Sequence, residues 1–311
     1  MRHELLALIG TVAVVAGAVV LLAPESIAGQ APPATSKAWT MPWGDPDLQG
    51  IWTNNRGVPL ENPSNLAKLG KAPQPDRFDN YNSFWVDGVQ RSQQTSLVVD
   101  PPDGVLPLRP EVRAEANAKV VAKRSTSVVV ADSWEDRDSI ERCISRGMPG
   151  AMMASFNADY QILQTPGYVV ILIELIHDAR IIPLDGRPAL SPGIGLWLGD
   201  SRGHWEGKTL VVETDHFNGK VRVANQSLTF GLTTGGRVTE RFTRVDADTI
   251  DYQYTVDDPA YFTKPFTVSD AMERIQTPVY EYACHEGNYA MQNILEGARA
   301  TEKAAAETEK K

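Results

Sequence analysis

The sequence predicts a mainly β protein, an antiparallel barrel or sandwich with a loop-and-helix elaboration before it and a helix after it. Three observations carry that expectation. Beyond Tyr160, one short run of β-branched and aromatic residues follows another. Turn residues separate these runs at short spacing, which favours antiparallel neighbours over a parallel sheet. The chain is long enough to bury a substantial core, with 311 residues of which 42% are hydrophobic and 22% charged. That composition excludes a disordered tail, a collagen-like fibre and a small disulfide-knit peptide.

In chain order, residues 5–23 form a nearly unbroken apolar run after Met1-Arg2-His3-Glu4, and small residues follow at Ala28-Gly29-Gln30-Ala31. This pattern predicts a secretory signal over 1–31. The run also approaches the ~20 residues that span a bilayer, so an uncleaved anchor is the alternative. Either way the folded part is expected outside the cytoplasm, periplasmic or secreted, with no stable membrane insertion of the mature domain. Residues 32–45, rich in Pro and Ala, read as a linker. A single domain is expected over 46–298, with a loop and helix insertion at 54–158 and a solvated helical tail at 299–311.

Within that domain, 48–53 reads as a first strand and 96–99 as an extended piece. Pro110 opens a helix expected over 111–123, because proline suits a first helical turn. A short helix is expected over 139–145. Strands are expected at 160–164, 168–176, 179–184, 196–198, 209–214, 226–231, 238–244, 250–256, 262–268, 272–275 and 279–282.

Charge and cysteine usage narrow the functional classes. Lys and Arg number 30 against 39 Asp and Glu, a formal charge of −9, and no basic cluster stands out. Nucleic acid is therefore not an expected partner. Cys143 and Cys284 are the only cysteines. In an oxidising compartment they are expected to pair, closing a loop of roughly 140 residues. A thiol nucleophile or a metal ligand is the alternative reading.

Two motifs are more specific than composition. Asp45-Pro46-Asp47-Leu48-Gln49-Gly50-Ile51-Trp52 is one, and Gly203-His204-Trp205-Glu206-Gly207-Lys208-Thr209-Leu210-Val211-Val212-Glu213-Thr214 is the other. With Thr239-Glu240-Arg241-Phe242, they resemble a poorly characterised family of exported bacterial proteins. The resemblance covers most of residues 42–298 and implies a lipocalin-like (calycin-like) barrel. Such barrels host carriers and a few cofactor-free lyases, hydratases and isomerases, an analogy at the level of fold.

The most informative segment is 238–268. Strand side chains alternate between faces, so Val238, Glu240 and Phe242 share one side with Tyr252, Tyr254 and Val256 of the next strand. Two tight hairpins would place Glu240, Tyr254 and Lys264 in one layer, between aromatic layers containing Phe242, Tyr252, Phe262 and Phe266, which would line a substrate cavity. A charge on such a wall must be paired, so a Glu240–Lys264 ion pair capped by Tyr254 is the structural reading. The functional reading makes Glu240 a general base, Tyr254 an acid or oxyanion donor and Lys264 their electrostatic partner.

His177-Asp178-Ala179-Arg180 reads as a hairpin tip at the barrel mouth, either merely polar or a clamp in which Arg180 holds a carboxylate or phenolate. His204 is a candidate cavity residue, and Trp205 a core or rim plug. His285, beside Cys284, is a candidate general base. The four histidines beyond residue 31 are far apart in the chain, unlike the short ligand spacings of zinc sites, so no metal is expected. Phosphate-binding and dinucleotide fingerprints are absent, as is the G-x-S-x-G serine elbow, and no cofactor is expected.

Together these features predict a cofactor-independent lyase or isomerase acting by acid–base transfer on a small hydrophobic molecule, aromatic or isoprenoid-like. An extracytoplasmic binding protein for a similar ligand is the alternative. A structural protein with a filled barrel is a third. No feature specifies an oligomeric state.

Overall fold

The computed structural model describes residues 39–54, 58–68, 94–114, 131–153, 157–221 and 231–309. In chain order the strands are β1 (Gly50–Thr53), β2 (Val98–Asp100), β3 (Asp159–Thr165), β4 (Tyr168–Ile173), β5 (Ala179–Pro183) and β6 (Asp200–Glu206), then β7 (Thr209–Asp215), β8 (Arg237–Arg244), β9 (Thr249–Asp257), β10 (Phe266–Ser269) and β11 (Met272–Ile275). Helix α1 spans Pro63–Lys68 and α2 spans Ala290–Glu309. All eleven strands belong to one antiparallel sheet, whose ladder runs β5-β4-β3-β1-β11-β9-β8-β7-β6. At β9 the sheet forks. Its Gln253–Val256 half pairs with β10, which in turn carries β2, and its Thr249–Ile250 end pairs with β11.

The sheet is not closed into a barrel, which corrects the closed architecture expected from the strand count. β5 and β6 stand at the two ends of the ladder and do not pair. The ends nevertheless approach one another through side chains. Gly203 on β6 faces inward, and a Cβ there would lie 2.7 Å from Leu184 Cδ2 and 3.0 Å from Ile182 Cγ2. A glycine there permits that approach without displacing those side chains. The result is a seam held by side-chain packing rather than by backbone hydrogen bonds.

Alternation places the core. On β9, Ile250, Tyr252, Tyr254 and Val256 are buried while their neighbours are only partly so, and on β8 the buried set is Val238, Glu240 and Phe242. With Trp52, Tyr160, Phe262 and Phe266 they make an aromatic-rich interior, in which Phe242 stacks on Tyr252 at 4.6 Å. The β8–β9 register is the expected one, with Val238 opposite Val256, Glu240 opposite Tyr254 and Phe242 opposite Tyr252.

The next register is not. Residues 262–265 are not strand. The backbone turns over Asp258–Phe262, with Tyr261 and Phe262 both donating to the Asp258 carbonyl, and Phe262 bridges to Leu108. Pro265 has no N–H to offer a ladder. Pairing begins at Phe266, opposite Val256, so Val268 takes the position opposite Tyr254 that a tight hairpin would have given Lys264.

Other expectations are revised similarly. Residues 196–198 make only an isolated bridge, Leu196 to Phe217, and 279–282 are not strand. Residues 139–143 form turns rather than a helix. The helix at Pro110 is described to Ala114; the remainder of 111–123, most of the strand expected at 226–231, and the signal segment 1–31 lie outside the described residues. From Trp39 the expected linker is already folded in, with Thr40 bridging Pro46 and Met41 buried. The C-terminal helix is tied down by Arg299, which donates to the Ala131 and Asp132 carbonyls at 3.0 and 2.9 Å. Among the described residues no helix is long and apolar enough to cross a membrane.

Cys143 and Cys284 form a disulfide across 141 residues of sequence. Constraint of the unfolded chain by so long a loop is worth at most about 5 kcal/mol. The Cys143→Ala/Cys284→Ala variant is expected to lose several kcal/mol, measured as a lower urea midpoint, and added reductant should bring the wild type to the same midpoint. Coincident curves for wild type and variant would show that the bridge adds nothing.

Candidate functional site

Four inward positions on four strands carry polar side chains, and they converge. On β5 the buried residues are Arg180 and Ile182; on β6 they are Ser201 and Gly203. Thr214 is inward on β7 and Glu240 on β8. Arg180 reaches across the seam and grips Glu240 with both terminal nitrogens, Nη1 to Oε1 at 2.9 Å and Nη2 to Oε2. Nη2 also donates to the Ser201 hydroxyl at 3.2 Å and the Thr214 hydroxyl at 3.4 Å, and those hydroxyls are 2.9 Å apart. The Tyr252 hydroxyl donates to Glu240 Oε1 at 3.0 Å. Glu240 is fully buried and Arg180 is 3% exposed.

The electrostatics follow from burial. Desolvation works against the Arg180 charge, but Glu240, by charge and by hydrogen bonding, outweighs it and holds the guanidinium above its ordinary range. Burial, then the Glu240 charge, pushes the Tyr252 phenol well above its usual value. Burial likewise raises Tyr254, aided by the charges of Asp270, Tyr160 and Glu240. Both phenols are donors here, and Glu240 has both oxygens engaged.

Arg180 also lies beside a cleft. This cleft of about 340 Å³ lies at the seam, lined by Asp178 to Ile181 on one side and Leu196 to Ser201 on the other. Ile181, Leu196, Trp197 and Leu198 give it an apolar wall. Arg180 is among the lining residues, and its Nε is buried without a hydrogen-bond partner among the described residues. Asp178, at the cleft edge, accepts from the Ser145 hydroxyl at 3.0 Å. Burial raises its pKa, against the opposing effects of the Ser145 hydrogen bond and the His177 charge.

Of the residues singled out from sequence, only Arg180 lines this cleft. It is not an exposed hairpin tip, and the carboxylate it holds is the protein's own Glu240. Lys264 is exposed and lies outside the ladder, so the layer Glu240–Tyr254–Lys264 does not form. Tyr254 is opposite Glu240, but its hydroxyl meets Met153 Sδ instead. Phe242, Tyr252, Phe262 and Phe266 are packed into the core. His204 points outward beside Glu206, and Trp205 is half-buried against the core. His177 is exposed, its Nδ1 3.0 Å from the Tyr282 carbonyl oxygen, and His285 is exposed near the disulfide. Among the described residues, no group of three or more His, Cys, Asp or Glu side chains could hold a metal.

Thr214 lies in a sequence motif and Asp178 in the expected hairpin tip, but the sequence singles out neither them nor Ser201 as site residues. The alternation that placed Glu240 inward would have placed Arg180 inward beside Ile182, and a buried cation demands a buried anion. Ser201 had no such signal, because β6 contains no apolar run. No family model, no curated protein and no solved structure matches the chain at a significant level. The function is therefore read from the site itself.

Two outcomes test this geometry. Glu240→Gln leaves the Arg180 charge without its counterion and is expected to lose about 3–5 kcal/mol of stability. Arg180→Met/Glu240→Met removes both charges and is expected to lose much less than the two single changes summed, measured by urea unfolding in a double-mutant cycle. The raised Asp178 pKa means the native state binds more protons than the unfolded chain between the ordinary aspartate value of about 3.9 and the raised one. Stability should fall as pH climbs through that window, and Asp178→Asn, which can still accept from Ser145, should remove that decline from a pH series of melting curves.

Proposed function

We propose that the protein is an exported binding protein for a small hydrophobic molecule, a lipocalin-like design in which the ligand enters at the β5–β6 seam. Export is supported by the apolar run at 5–23 and by the disulfide. One observation carries the binding reading: the unpartnered Nε–H of a buried arginine beside an apolar-walled cleft. An unsatisfied buried donor costs about 1–3 kcal/mol, which a ligand acceptor would recover. Because Glu240 already neutralises Arg180, that acceptor is a neutral oxygen, as in an aromatic or terpenoid ketone, ester or alcohol. A carboxylate there would face the Glu240 charge.

The acid–base reading, a lyase or isomerase without cofactor, is the second proposal. Its support is Asp178, a carboxyl at the cleft edge whose raised pKa suits it to hold a proton. Glu240 is the weaker choice of base, with three hydrogen bonds on its two oxygens.

Incubating the purified full chain with aromatic and terpenoid ketones and alcohols should quench Trp197 fluorescence saturably, and chromatography with mass detection should return the ligand unchanged. Trp197→Ala and Ile181→Glu are expected to weaken binding about tenfold, roughly 1.4 kcal/mol, without shifting the melting temperature. Conversion of the ligand, abolished in Asp178→Asn, would favour the enzyme. Equal affinity in the cleft variants would remove the cleft from either reading.

A further inference from the structure

Arg180 is not the only buried guanidinium. Arg146 is 7% exposed, and its Nε and Nη1 both lie buried without a hydrogen-bond partner among the described residues. Unlike Arg180 it has no carboxylate within salt-bridge distance among those residues. The acid closest to it in sequence that influences it is Asp138, whose Oδ1 accepts from the Glu141 N–H at 2.7 Å.

The loop that carries Arg146 is rigidly held. Immediately before it, Ser145 accepts through its carbonyl from the Ser139 hydroxyl at 2.6 Å and donates through its own hydroxyl to Asp178. Immediately after it, Gly147 adopts φ +65° and donates to Ser145 Oγ at 3.0 Å. A Cβ on Gly147 would be 2.8 Å from Val221 Cγ2, so the loop is pressed against that side chain. Cys143, three residues upstream, is stapled to Cys284. The flanking Met148, Ala151 and Met152 are buried and apolar.

A single positive charge held in such surroundings without a counterion is unfavourable by several kcal/mol. Native proteins pair such a group with an anion, and a guanidinium edge donates charge-assisted hydrogen bonds to a carboxylate; Nε–H and Nη1 lie on different edges, so an acid would meet one of them. We propose that Arg146 anchors a second binding site, distinct from the seam cleft, for the carboxylate of a small monoanionic organic acid with an apolar body. A monoanion balances the one free charge, whereas a phosphate dianion would overcompensate it in a setting that already contains Asp138. Burial lowers the Arg146 pKa, the direction expected of a cation that lacks its partner.

The test is calorimetric titration of the full chain with benzoate, octanoate and inorganic phosphate, alongside melting curves. The wild type is expected to bind benzoate or octanoate saturably and more tightly than phosphate, with a rise in melting temperature. Arg146→Gln and Arg146→Met should lose at least tenfold in affinity, and without ligand they should melt at or above the wild-type temperature. Trp197→Ala should bind the acids normally, which separates this site from the seam cleft. In the wild type, the Arg146 Nε–H resonance, identified by its loss in Arg146→Lys, should shift on adding benzoate. The proposal is overturned if carboxylates do not bind, if phosphate binds better, if the neutral variants bind equally well, or if both neutral variants melt lower than wild type.

Discussion

The bidentate contact between Arg180 and Glu240 is the constraint on which the shape of the sheet depends. Arg180 sits on β5, at one end of the ladder, and Glu240 on β8, third from the other end. Ser201 and Thr214, on the two strands between, accept from the same guanidinium nitrogen. One side chain therefore ties four strands together across a gap with no backbone pairing. Desolvating two charges offsets much of their attraction, so the pair is weak as a source of net stability. Its value is specificity: with Glu240 fixed by the β8–β9 register, a β5 slipped by one residue would turn Arg180 to the outside and leave the carboxylate bare.

The parts of this arrangement that were legible in the sequence are those set by short-range periodicity. The alternation of 250–256 indicates which face of β9 is buried, and a tight hairpin expected at 245–249 carries the register correctly onto β8. The cysteine pairing was legible too, because two cysteines in a chain read as exported leave one intramolecular choice. Where the reading failed, a longer-range or context-dependent term won. The connection from β9 to β10 looked like a hairpin but contains Pro265 and an Asp258 carbonyl that collects two N–H groups, which delays pairing by four residues and puts Lys264 in solvent. Closure failed for a related reason: strand count sets how far a sheet can curl, whereas pairing of its ends requires backbone edges to meet, and here Gly203 lets side chains meet first.

The two buried arginines show how the same residue type takes opposite roles. Arg180 is neutralised by Glu240 and retains one N–H without a partner among the described residues. Arg146 has no carboxylate within salt-bridge distance among the described residues, and its proposed partner is an anion. Both chemistries were invisible in composition, since the net charge of −9 gives no hint that two cations are interior. The informative quantity is the local balance of each buried group, not the sum over the chain.

The β4–β5 turn connects the seam to the loop that carries Arg146. Ile176 and His177 both adopt positive φ, +65° and +46°, a conformation that costs non-glycine residues of order 1–3 kcal/mol each. Surrounding contacts hold them there. Glu174 accepts from Asn157 at 2.6 Å, His177 meets the Tyr282 carbonyl, and Asp178 accepts from Ser145. Two of those partners, Ser145 and Tyr282, each lie two residues from a half of the disulfide. The staple thus fixes the segments that fix the turn, and Arg180 leaves that turn only two residues after Asp178. Stapling at the chain's far end therefore bears on the seam, through Ser145 and Asp178, as directly as it bears on the loop that holds Arg146.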